Sequence, residues 1–433
     1  MLASARALNR SLTQRTFSFA GFGDSRVTGP HASSVRRLCT GRLGAGAAQL
    51  PENIAPNILR ELTSAFSAGK ESPVSIRELR RALFDTVTGL SPAYVGHAKA
   101  LALLAWKAPG HYAALRSVLL RLSIMRPAWS PKHILDIAST SGGMGVVAAQ
   151  ATWPSTKLDA VLLHSHLEAT AACQTWLRAD TKTRSYLEST DDYDLITAVH
   201  CRSDGGAYER SLDFFEQLWM RCRGMLVIIE PGCAEGFARM EAVRSHLLQR
   251  FHSSVKVAAP CPHSGPCPLS TKHNTKIAAE RGEHGYRHNF CHFAQRYHRD
   301  PSLKAFGALD REGKRMMPSH RGHALRRYAY VALERVQEDD GDDAARAATQ
   351  SQAPPGRILR EPLRRGGHVV MHVCQRNGQI EQHTYTRRKH ADGTYQRARH
   401  AAWGDEWDAS DRDAACGLAD AETPLDRAGT NVS

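Results

Sequence analysis

The sequence HILDIASTSGGMG, at residues 133–145, decides the fold class that we predict for this chain. Residues 133–138 form a short, mostly apolar run, and residues 139–145 supply small side chains ahead of an apolar helical pattern at 146–153. A strand, a turn of small residues and a helix are typical of the first unit of a nucleotide-binding α/β sheet. In such a unit the backbone amides at the helix N-terminus face the ligand.

The same alternation continues along the chain. Short apolar runs alternate with longer helical patterns, which predicts strands at 158–163, 193–199, 225–232 and 255–259 and helices at 212–222 and 236–251. This order predicts an α/β domain at residues 128–260 with a mostly parallel, doubly wound sheet. Residues 51–127 have the apolar spacing of helices, interrupted at Pro109 and Gly110, and predict a helical N-terminal domain.

The C-terminal third contains a second predicted unit. Two alternating segments flank Asn377 and Gly378, and an Asn-Gly pair in this setting is a strong β-hairpin signal. We divide this part of the chain into a cysteine-containing basic region at 261–335, a flexible acidic linker at 336–356, a small β-rich, RNA-binding domain at 357–407 and a disordered tail at 408–433.

Four cysteines occur where an inorganic centre could be held. Cys261 and Cys267 lie in a proline-rich segment, and proline excludes a helix there because it fixes φ and lacks the N–H donor. Cys291 and Cys374 follow in separate segments, the latter at the end of a predicted strand. Four thiolates can hold an iron–sulfur cluster or a structural zinc ion. The alternative is that these are unrelated buried cysteines.

The overall composition points to a polyanionic partner and a reducing compartment. The chain has 433 residues, a formal net charge of +14 at pH 7 and ten cysteines. Such a charge indicates a nucleic acid partner, and cysteines without a secretory signal indicate a reducing compartment. No apolar run approaches the roughly 18 residues that a membrane span needs.

Residues 1–45 have the composition of a transit peptide. This segment is rich in arginine and serine and contains one acid, Asp24. Because arginine-rich, acid-poor N-terminal segments direct proteins into organelles, we expect the protein in the mitochondrial matrix. An unstructured basic tail is the alternative.

Together these segments resemble one family, the Rsm-type methyltransferase-like proteins of the mitochondrial ribosomal small subunit. The resemblance covers roughly residues 55–407, and the cysteine segments are its most specific part. It rests on residues 135–136, 193–195, 226–232, 235–237, 259–263, 265–268, 291–296, 330–335, 368–374, 398–399 and 403–405.

The resemblance implies a Rossmann-like class I methyltransferase fold with a metal-bound C-terminal domain. It further implies a [4Fe–4S] cluster, or alternatively zinc, held by Cys261, Cys267, Cys291 and Cys374. Such a centre would tie the C-terminal hairpin to the α/β domain across the acidic linker as a structural staple. The implied partners are small-subunit rRNA and ribosomal proteins of the mitochondrial ribosome, and the implied role is assembly of the small subunit or residence within it.

The resemblance also implies an S-adenosylmethionine pocket, formed by Asp136, Ala138, Thr140, Gly142, His164 and Asp194. Enzymes of this fold need glycines after the first strand, and a carboxylate after the second strand that binds the ribose hydroxyls. Here Ala138 and Thr140 replace two glycines, and His164 stands where the carboxylate is expected. We therefore expect a degenerate cofactor site without catalytic residues. The alternative is an active S-adenosylmethionine-dependent rRNA methyltransferase.

Basic and aromatic residues of the C-terminal region predict contacts with rRNA. Tyr385 and Tyr395 suit base stacking, and they are interspersed with residues that suit phosphate contacts, Arg357, Arg360, Arg364, Arg365, Arg387, Arg388, Lys389, Arg397 and Arg399. A merely solvated face is the alternative.

For three histidines, the neighbouring residues in the sequence predict the surroundings of the side chain. His263 and His292 lie beside cysteines, and we expect them to donate hydrogen bonds to the metal ligands. His200 follows a predicted strand and is expected to face solvent. Neighbouring residues of a strand alternate between its faces, and the adjacent Cys201 suits the core.

Overall fold

The computed structural model of the chain describes two β-sheets and the helices that pack on them. It describes residues 47–67, 97–137, 142–163, 177, 181–184, 187, 191–200, 208–270, 290–298, 323–336, 355–390 and 393–408. The predicted transit peptide, most of the acidic linker and the tail after residue 408 lie outside these ranges. So do the predicted pocket residues Ala138, Thr140 and His164, and Cys201.

The described residues form thirteen strands and six helices. The strands are β1 (His133–Ile137), β2 (Asp159–Leu163), β3 (Lys182–Arg184), β4 (Tyr193–Val199), β5 (Cys222–Pro231), β6 (Val255–Ala259), β7 (Phe293–His298), β8 (His323–Arg335), β9 (Gly356–Ile358), β10 (Leu363–Arg365), β11 (His368–Cys374), β12 (Ile380–Thr386) and β13 (Glu406–Trp407). The helices are α1 (Ile54–Ser67), α2 (His97–Met125), α3 (Met144–Thr152), α4 (Tyr208–Met220), α5 (Ala234–Arg250) and α6 (Thr394–His400). None of these described helices is both long and apolar enough to cross a membrane.

The larger sheet is mixed and mostly parallel. Its strands lie in the order β3-β2-β1-β4-β5-β8-β6, and β7 pairs with the amino-terminal half of β8. Strands β1 to β5 are parallel to one another, whereas β8 is antiparallel to β5, β6 and β7. The predicted α/β fold class, a Rossmann-like and mostly parallel sheet, is confirmed at this level.

Strand β8 is the largest difference from the sequence analysis, which assigned residues 261–335 to a basic, cysteine-containing region. β8 inserts between β5 and β6 and pairs with β5 from Met225↔Glu334 to Pro231↔Tyr328. Residues 328–333 are all buried. Burial on both faces explains their unbroken apolar run, because a strand covered on both sides needs no polar face.

One buried carboxylate joins β1 to the first turn of α3. Asp136 accepts hydrogen bonds from the Gly145 backbone N–H at 3.0 Å and from Thr197 Oγ1 at 2.7 Å. Gly145 lies in the first turn of α3, so the carboxylate stabilises the helix N-terminus and links β1 to β4. A Cβ on Gly145 would overlap the side chains of both Asp136 and Thr197.

Helix α2 packs on the sheet as one continuous helix of 29 residues, although Pro109 lies inside it. The predicted interruption at Pro109 and Gly110 is therefore wrong. A proline inside a helix removes a hydrogen bond and costs about 3 kcal/mol. Leu115, Leu119 and Leu122 of this helix are buried in the same core as the strands. Their burial contributes about 1.5–3 kcal/mol for each side chain and outweighs that cost.

The smaller sheet has the order β10-β11-β9-β13, with β12 paired to β11. Strands β11 and β12 form the predicted hairpin around Asn377 and Gly378, and Gly378 has the positive φ of 76° that favours glycine. This sheet has a small core of its own, in which the Trp407 indole donates a hydrogen bond to the Tyr385 hydroxyl at 2.8 Å.

We expect Gly145→Ala to destabilise the α/β fold. The added methyl group meets the buried side chains of Asp136 and Thr197, and such overpacking costs about 1–3 kcal/mol of unfolding free energy. The higher helix propensity of alanine, about 1 kcal/mol, offsets part of this cost. Urea or thermal unfolding of the full chain measures the change.

The matched control for this substitution is Gly366→Ala. No atom lies within 4 Å of a Cβ added at Gly366, so its unfolding free energy should change by less than about 0.5 kcal/mol. If the two variants were equally stable, the contact between Gly145 and the Asp136 carboxylate would not constrain the fold.

Candidate metal centre

Three separate parts of the chain bring four cysteines to the lining of one cavity. Cys261 and Cys267 lie in the loop after β6, Cys291 lies just before β7, and Cys374 ends β11. Much of the remaining lining is apolar and includes Phe237, Met240, Pro260, Pro262, Leu269 and Leu359. The four predicted metal ligands are therefore neighbours in space, although they are distant in the sequence.

Hydrogen bonds shape the loop that follows β6. Ser264 Oγ accepts a hydrogen bond from the Val257 backbone N–H at 3.0 Å, which folds the loop back onto β6. Arg244 of α5 donates through Nη2 to the carbonyl oxygens of His263 at 3.1 Å and Gly265 at 2.8 Å. The non-helical loop predicted from its prolines is thus held by one side chain of the neighbouring helix.

Burial raises the pKa of the thiols that line the cavity. The pKa of Cys267 and the pKa of Cys374 are each raised to about 12, mainly by burial and then by the neighbouring Cys261 thiol. Burial also raises the pKa of Cys291 well above its ordinary value, and Cys261, Cys267 and Cys374 raise it further. These mutual effects show that the four sulfurs share one electrostatic environment. As free thiols the buried three are protonated near pH 7, so a metal or cluster has to displace their protons.

The four cysteines line a shared cavity. In the part of the chain that the structure describes, no three His, Cys, Asp or Glu side chains are arranged to hold a single metal ion. Nε2 of His263 lies 3.5 Å from Cys374 Sγ, which agrees with the position predicted for this histidine. His292 instead packs its ring against Trp403, with centroids 4.2 Å apart.

Two buried guanidinium groups line the same cavity. Arg244 and Arg357 are 1% and 2% exposed, and both lower the pKa of a neighbouring thiol against the larger effect of burial. Arg357 donates to the carbonyl oxygens of Pro260 and Gly404, each at 3.0 Å, and pairs with Glu406 at 3.0 Å. The Nε of Arg244 is buried without an acceptor among the described residues. Two cations beside four thiols would offset the negative charge of bound thiolates, so the residue types present fit a thiolate-bound cluster.

The sequence analysis missed Arg244 and assigned Arg357 to rRNA phosphates. The assignment of Arg357 is wrong, because its guanidinium is buried and bonded inside the protein. One signal could have identified Arg244, which shares an inward-facing stripe of α5 with Met240, Val243 and Leu247. A single charged residue in the apolar stripe of a helix is unusual unless it is paired.

The two predicted base-stacking residues are also buried. Tyr385 and Tyr395 are each 6% exposed and belong to the core of the smaller sheet, so the prediction that they stack on bases is wrong. Arg397 lies partly buried over the Trp407 ring, 5.3 Å from its centroid. The remaining residues of the predicted basic set are exposed, namely Arg360, Arg364, Arg365, Arg387, Arg388, Lys389 and Arg399.

Two described residues of the predicted S-adenosylmethionine pocket, Asp136 and Gly142, make contacts inside the fold. Both carboxylate oxygens of Asp136 accept hydrogen bonds inside the fold. Gly142 has a positive φ of 64°, but Leu104 of α2 fills the space into which a Cβ would project. The Leu104 side chain therefore packs closely against Gly142.

Asp194 lies near the start of β4, at the amino-terminal ends of the parallel strands. Its Oδ2 accepts hydrogen bonds from the backbone N–H groups of Lys132 and His133, at 2.8 and 2.9 Å, and so caps the start of β1. Ligands of such sheets bind at the carboxyl ends of the strands. The prediction that Asp194 lines the pocket is therefore wrong.

His200 is buried, 8% exposed, and the prediction that it faces solvent is wrong. Its φ of 50° lies in the left-handed region. Strand β4 ends at Val199, so the alternation of side chains along a strand no longer applies at the next residue.

Comparison with known proteins identifies the family. A family model described as "Mitochondrial small ribosomal subunit Rsm22" matches residues 97–408. The Rsm22-cox11 tandem protein 2, mitochondrial, of Schizosaccharomyces pombe is 26% identical over 342 residues, which cover 70% of this chain and 42% of that protein. The ribosome assembly protein METTL17, mitochondrial, of Homo sapiens is 22% identical over 323 residues, which cover 70% of this chain and 61% of that protein. The chain thus spans less than two thirds of the length of either relative.

One solved structure to which the chain is similar is the N-methyltransferase NodS of Bradyrhizobium japonicum. The TM-score is 0.30 and the identity is 9%, with 66% of this chain and 100% of that chain covered. A likeness of this size establishes neither a cofactor nor a reaction. The match over residues 97–408 is decisive for the family, and this chain belongs to the mitochondrial small ribosomal subunit Rsm22 family.

Proposed function

We propose that this protein acts on the mitochondrial small ribosomal subunit, as an assembly factor or a resident protein that binds small-subunit rRNA. The observation that carries the proposal is the family match over residues 97–408. The human relative is named a ribosome assembly protein, and both relatives are named as mitochondrial. The net charge of +14 supports a nucleic acid partner.

The proposed compartment is the mitochondrial matrix. Residues 1–45 have the arginine-rich, acid-poor composition of a transit peptide, which supports import. A matrix protein would meet the rRNA and the ribosomal proteins of the small subunit during its assembly.

The proposed structural element is a [4Fe–4S] cluster held by the four thiols of the cavity, Cys261, Cys267, Cys291 and Cys374. When bound, such a cluster supplies iron–sulfur bonds that link β11 to the loop after β6 and to the segment before β7. The four thiols that line the cavity are of the residue type and number that would hold such a cluster. Arg244 and Arg357 offset the negative charge of the thiolates, and His263 hydrogen-bonds the Cys374 sulfur.

The exposed basic residues of the smaller sheet support contact with rRNA phosphates. Arg365 ends β10, and Arg387, Arg388 and Lys389 follow β12, so all four lie at the same end of the sheet. Cys374 lies at the other end of β11, a strand of seven residues that spans about 20 Å at about 3.4 Å per residue. A centre at Cys374 would hold one end of the sheet while the far end offers cations to RNA.

We expect Cys374→Ser to reduce cluster content and association with the small subunit together. Serine has a similar size but lacks the thiolate that an iron binds. Loss of a group that merely supports a metal ligand costs about 10–100-fold in metal affinity, so loss of a ligand should cost at least about tenfold. The measurement combines the iron and acid-labile sulfide content of anaerobically purified protein with co-sedimentation on mitochondrial small subunits.

Cys233→Ser is the matched control for the cluster experiment. Cys233 is exposed at the N-cap of α5 and lies outside the cavity lining, and serine is a favourable N-cap residue. Normal iron content in Cys374→Ser would contradict a cluster bound by Cys374. Stoichiometric zinc in the unsubstituted protein would show that the thiols bind zinc instead of a cluster. Normal co-sedimentation of a cluster-free variant would contradict the structural role.

The S-adenosylmethionine site of the fold is proposed to be degenerate. We expect no binding of S-adenosylmethionine to the full chain at about 100 μM in calorimetry. Leu104 packs closely against Gly142, and His164 stands in the sequence where a carboxylate that binds the ribose is expected. Micromolar binding together with methyl transfer to small-subunit rRNA would establish the alternative function, an active rRNA methyltransferase.

A further inference from the structure

A second group of polar side chains lies at the carboxyl ends of β4 and β5, away from the cysteines. His200 directly follows β4, and its backbone N–H donates to the Ile229 carbonyl oxygen of β5 at 2.7 Å. The amino-terminal half of β8 extends beyond the end of β5 and carries Arg326 to the same place, since Tyr328 pairs with Pro231. The carboxyl ends of parallel strands are where open α/β sheets bind their ligands.

Arg326 has a guanidinium group without a counterion among the described residues. Its Nη2 lies 2.9 Å from Nε2 and 3.2 Å from Nδ1 of His200, and its Nε is buried without an acceptor in the described part of the chain. Its aliphatic stem packs closely on α2, because a Cβ on Gly110 would lie 3.2 Å from Arg326 Cδ. Burial lowers the pKa of Arg326, which reflects the cost of holding a charge away from water.

His200 orients this guanidinium but does not neutralise it. Burial lowers the pKa of His200 far below its ordinary value, and Arg326, Lys107 and Arg239 lower it further. A neutral imidazole has one acceptor nitrogen, which fits a single N–H donated by Arg326. The ring also packs edge-on against His111, with centroids 4.6 Å apart. A non-glycine residue at φ 50° is strained, and such strain is often found at ligand sites.

Among the described residues at this end of the sheet, the other charged groups do not neutralise Arg326. Glu230 accepts hydrogen bonds from Arg239 Nε at 3.1 Å and Nη2 at 3.0 Å through the same oxygen, so this carboxylate is already paired. Lys107 of α2 and Arg239 lie near enough to lower the pKa of His200. An oxyanion that enters beside Arg326 would therefore gain a charge-assisted hydrogen bond from a partly buried guanidinium group.

We propose that Arg326, oriented by His200, binds one phosphate group at the carboxyl ends of β4 and β5. A phosphate offers oxygens to the planar fork of the guanidinium, including the Nε that is otherwise unbonded. The phosphate has two possible sources, free inorganic phosphate and a phosphodiester of RNA. This site is independent of the cysteine cavity and of any cluster bound there.

The test is calorimetric titration of the full chain with inorganic phosphate at constant ionic strength. We expect saturable binding by the unsubstituted protein below about 10 mM, and at least about tenfold weaker binding by Arg326→Gln. Arg326→Lys, which keeps the charge but loses the fork, should bind with intermediate affinity. Arg327→Gln is the matched control, because this neighbour on β8 is exposed and points to the opposite face of the strand.

Two arms separate the sources of the phosphate. If a short RNA competes with inorganic phosphate and loses affinity in Arg326→Gln, the site takes a phosphodiester. If RNA binds equally with and without saturating phosphate, the site takes the free ion. The proposal is overturned if the unsubstituted protein shows no saturable phosphate binding. This criterion needs no variant, so it applies even if a variant fails to fold. It is also overturned if Arg327→Gln weakens binding as much as Arg326→Gln does.

Discussion

The constraint on which the rest of this structure depends is the meeting of four thiols from three chain segments in one cavity, beside two buried guanidinium groups. Buried charges are tolerable where they are paired and hydrogen-bonded, as Arg357 is with Glu406 and with two backbone carbonyl oxygens. The smaller sheet has a limited core of its own, and small units rarely stand without a metal, a disulfide or a neighbouring core. Cys374, Leu359 and Arg357 connect it to the larger core.

Much of the fold could be predicted from the sequence because the relevant signals are local. Strand β1 and helix α3 follow each other within one short segment of a βαβ unit. The pair Asn377-Gly378 directly marks the hairpin of β11 and β12. Strand β8 could not be placed in this way, because its position between β5 and β6 depends on partners far away in the chain. The continuity of α2 through Pro109 likewise depends on the core beneath it.

In the candidate site, too, local signals could be predicted from the sequence and long-range contacts could not. The cysteines could be predicted because their residue type and their prolines are visible in the sequence, whereas the burial of Arg357 depends on carbonyl groups of Pro260 and Gly404 in other segments. Asp194 shows the same limit, since it caps the start of β1 and does not line a pocket. The predictions for Arg357 and Asp194 were thus wrong because both side chains form hydrogen bonds inside the fold.

The cysteine cavity lies at one end of the smaller sheet and the basic residues lie at the other end. A sheet that is fixed at the cavity can present its cations to RNA in one orientation. The most direct test of the central claim is Mössbauer spectroscopy of the full chain, purified anaerobically from cells grown on the Mössbauer-active iron isotope. The account predicts the spectrum of a [4Fe–4S] cluster, bound by thiolates, in the unsubstituted protein. A folded protein without any cluster signal would contradict it.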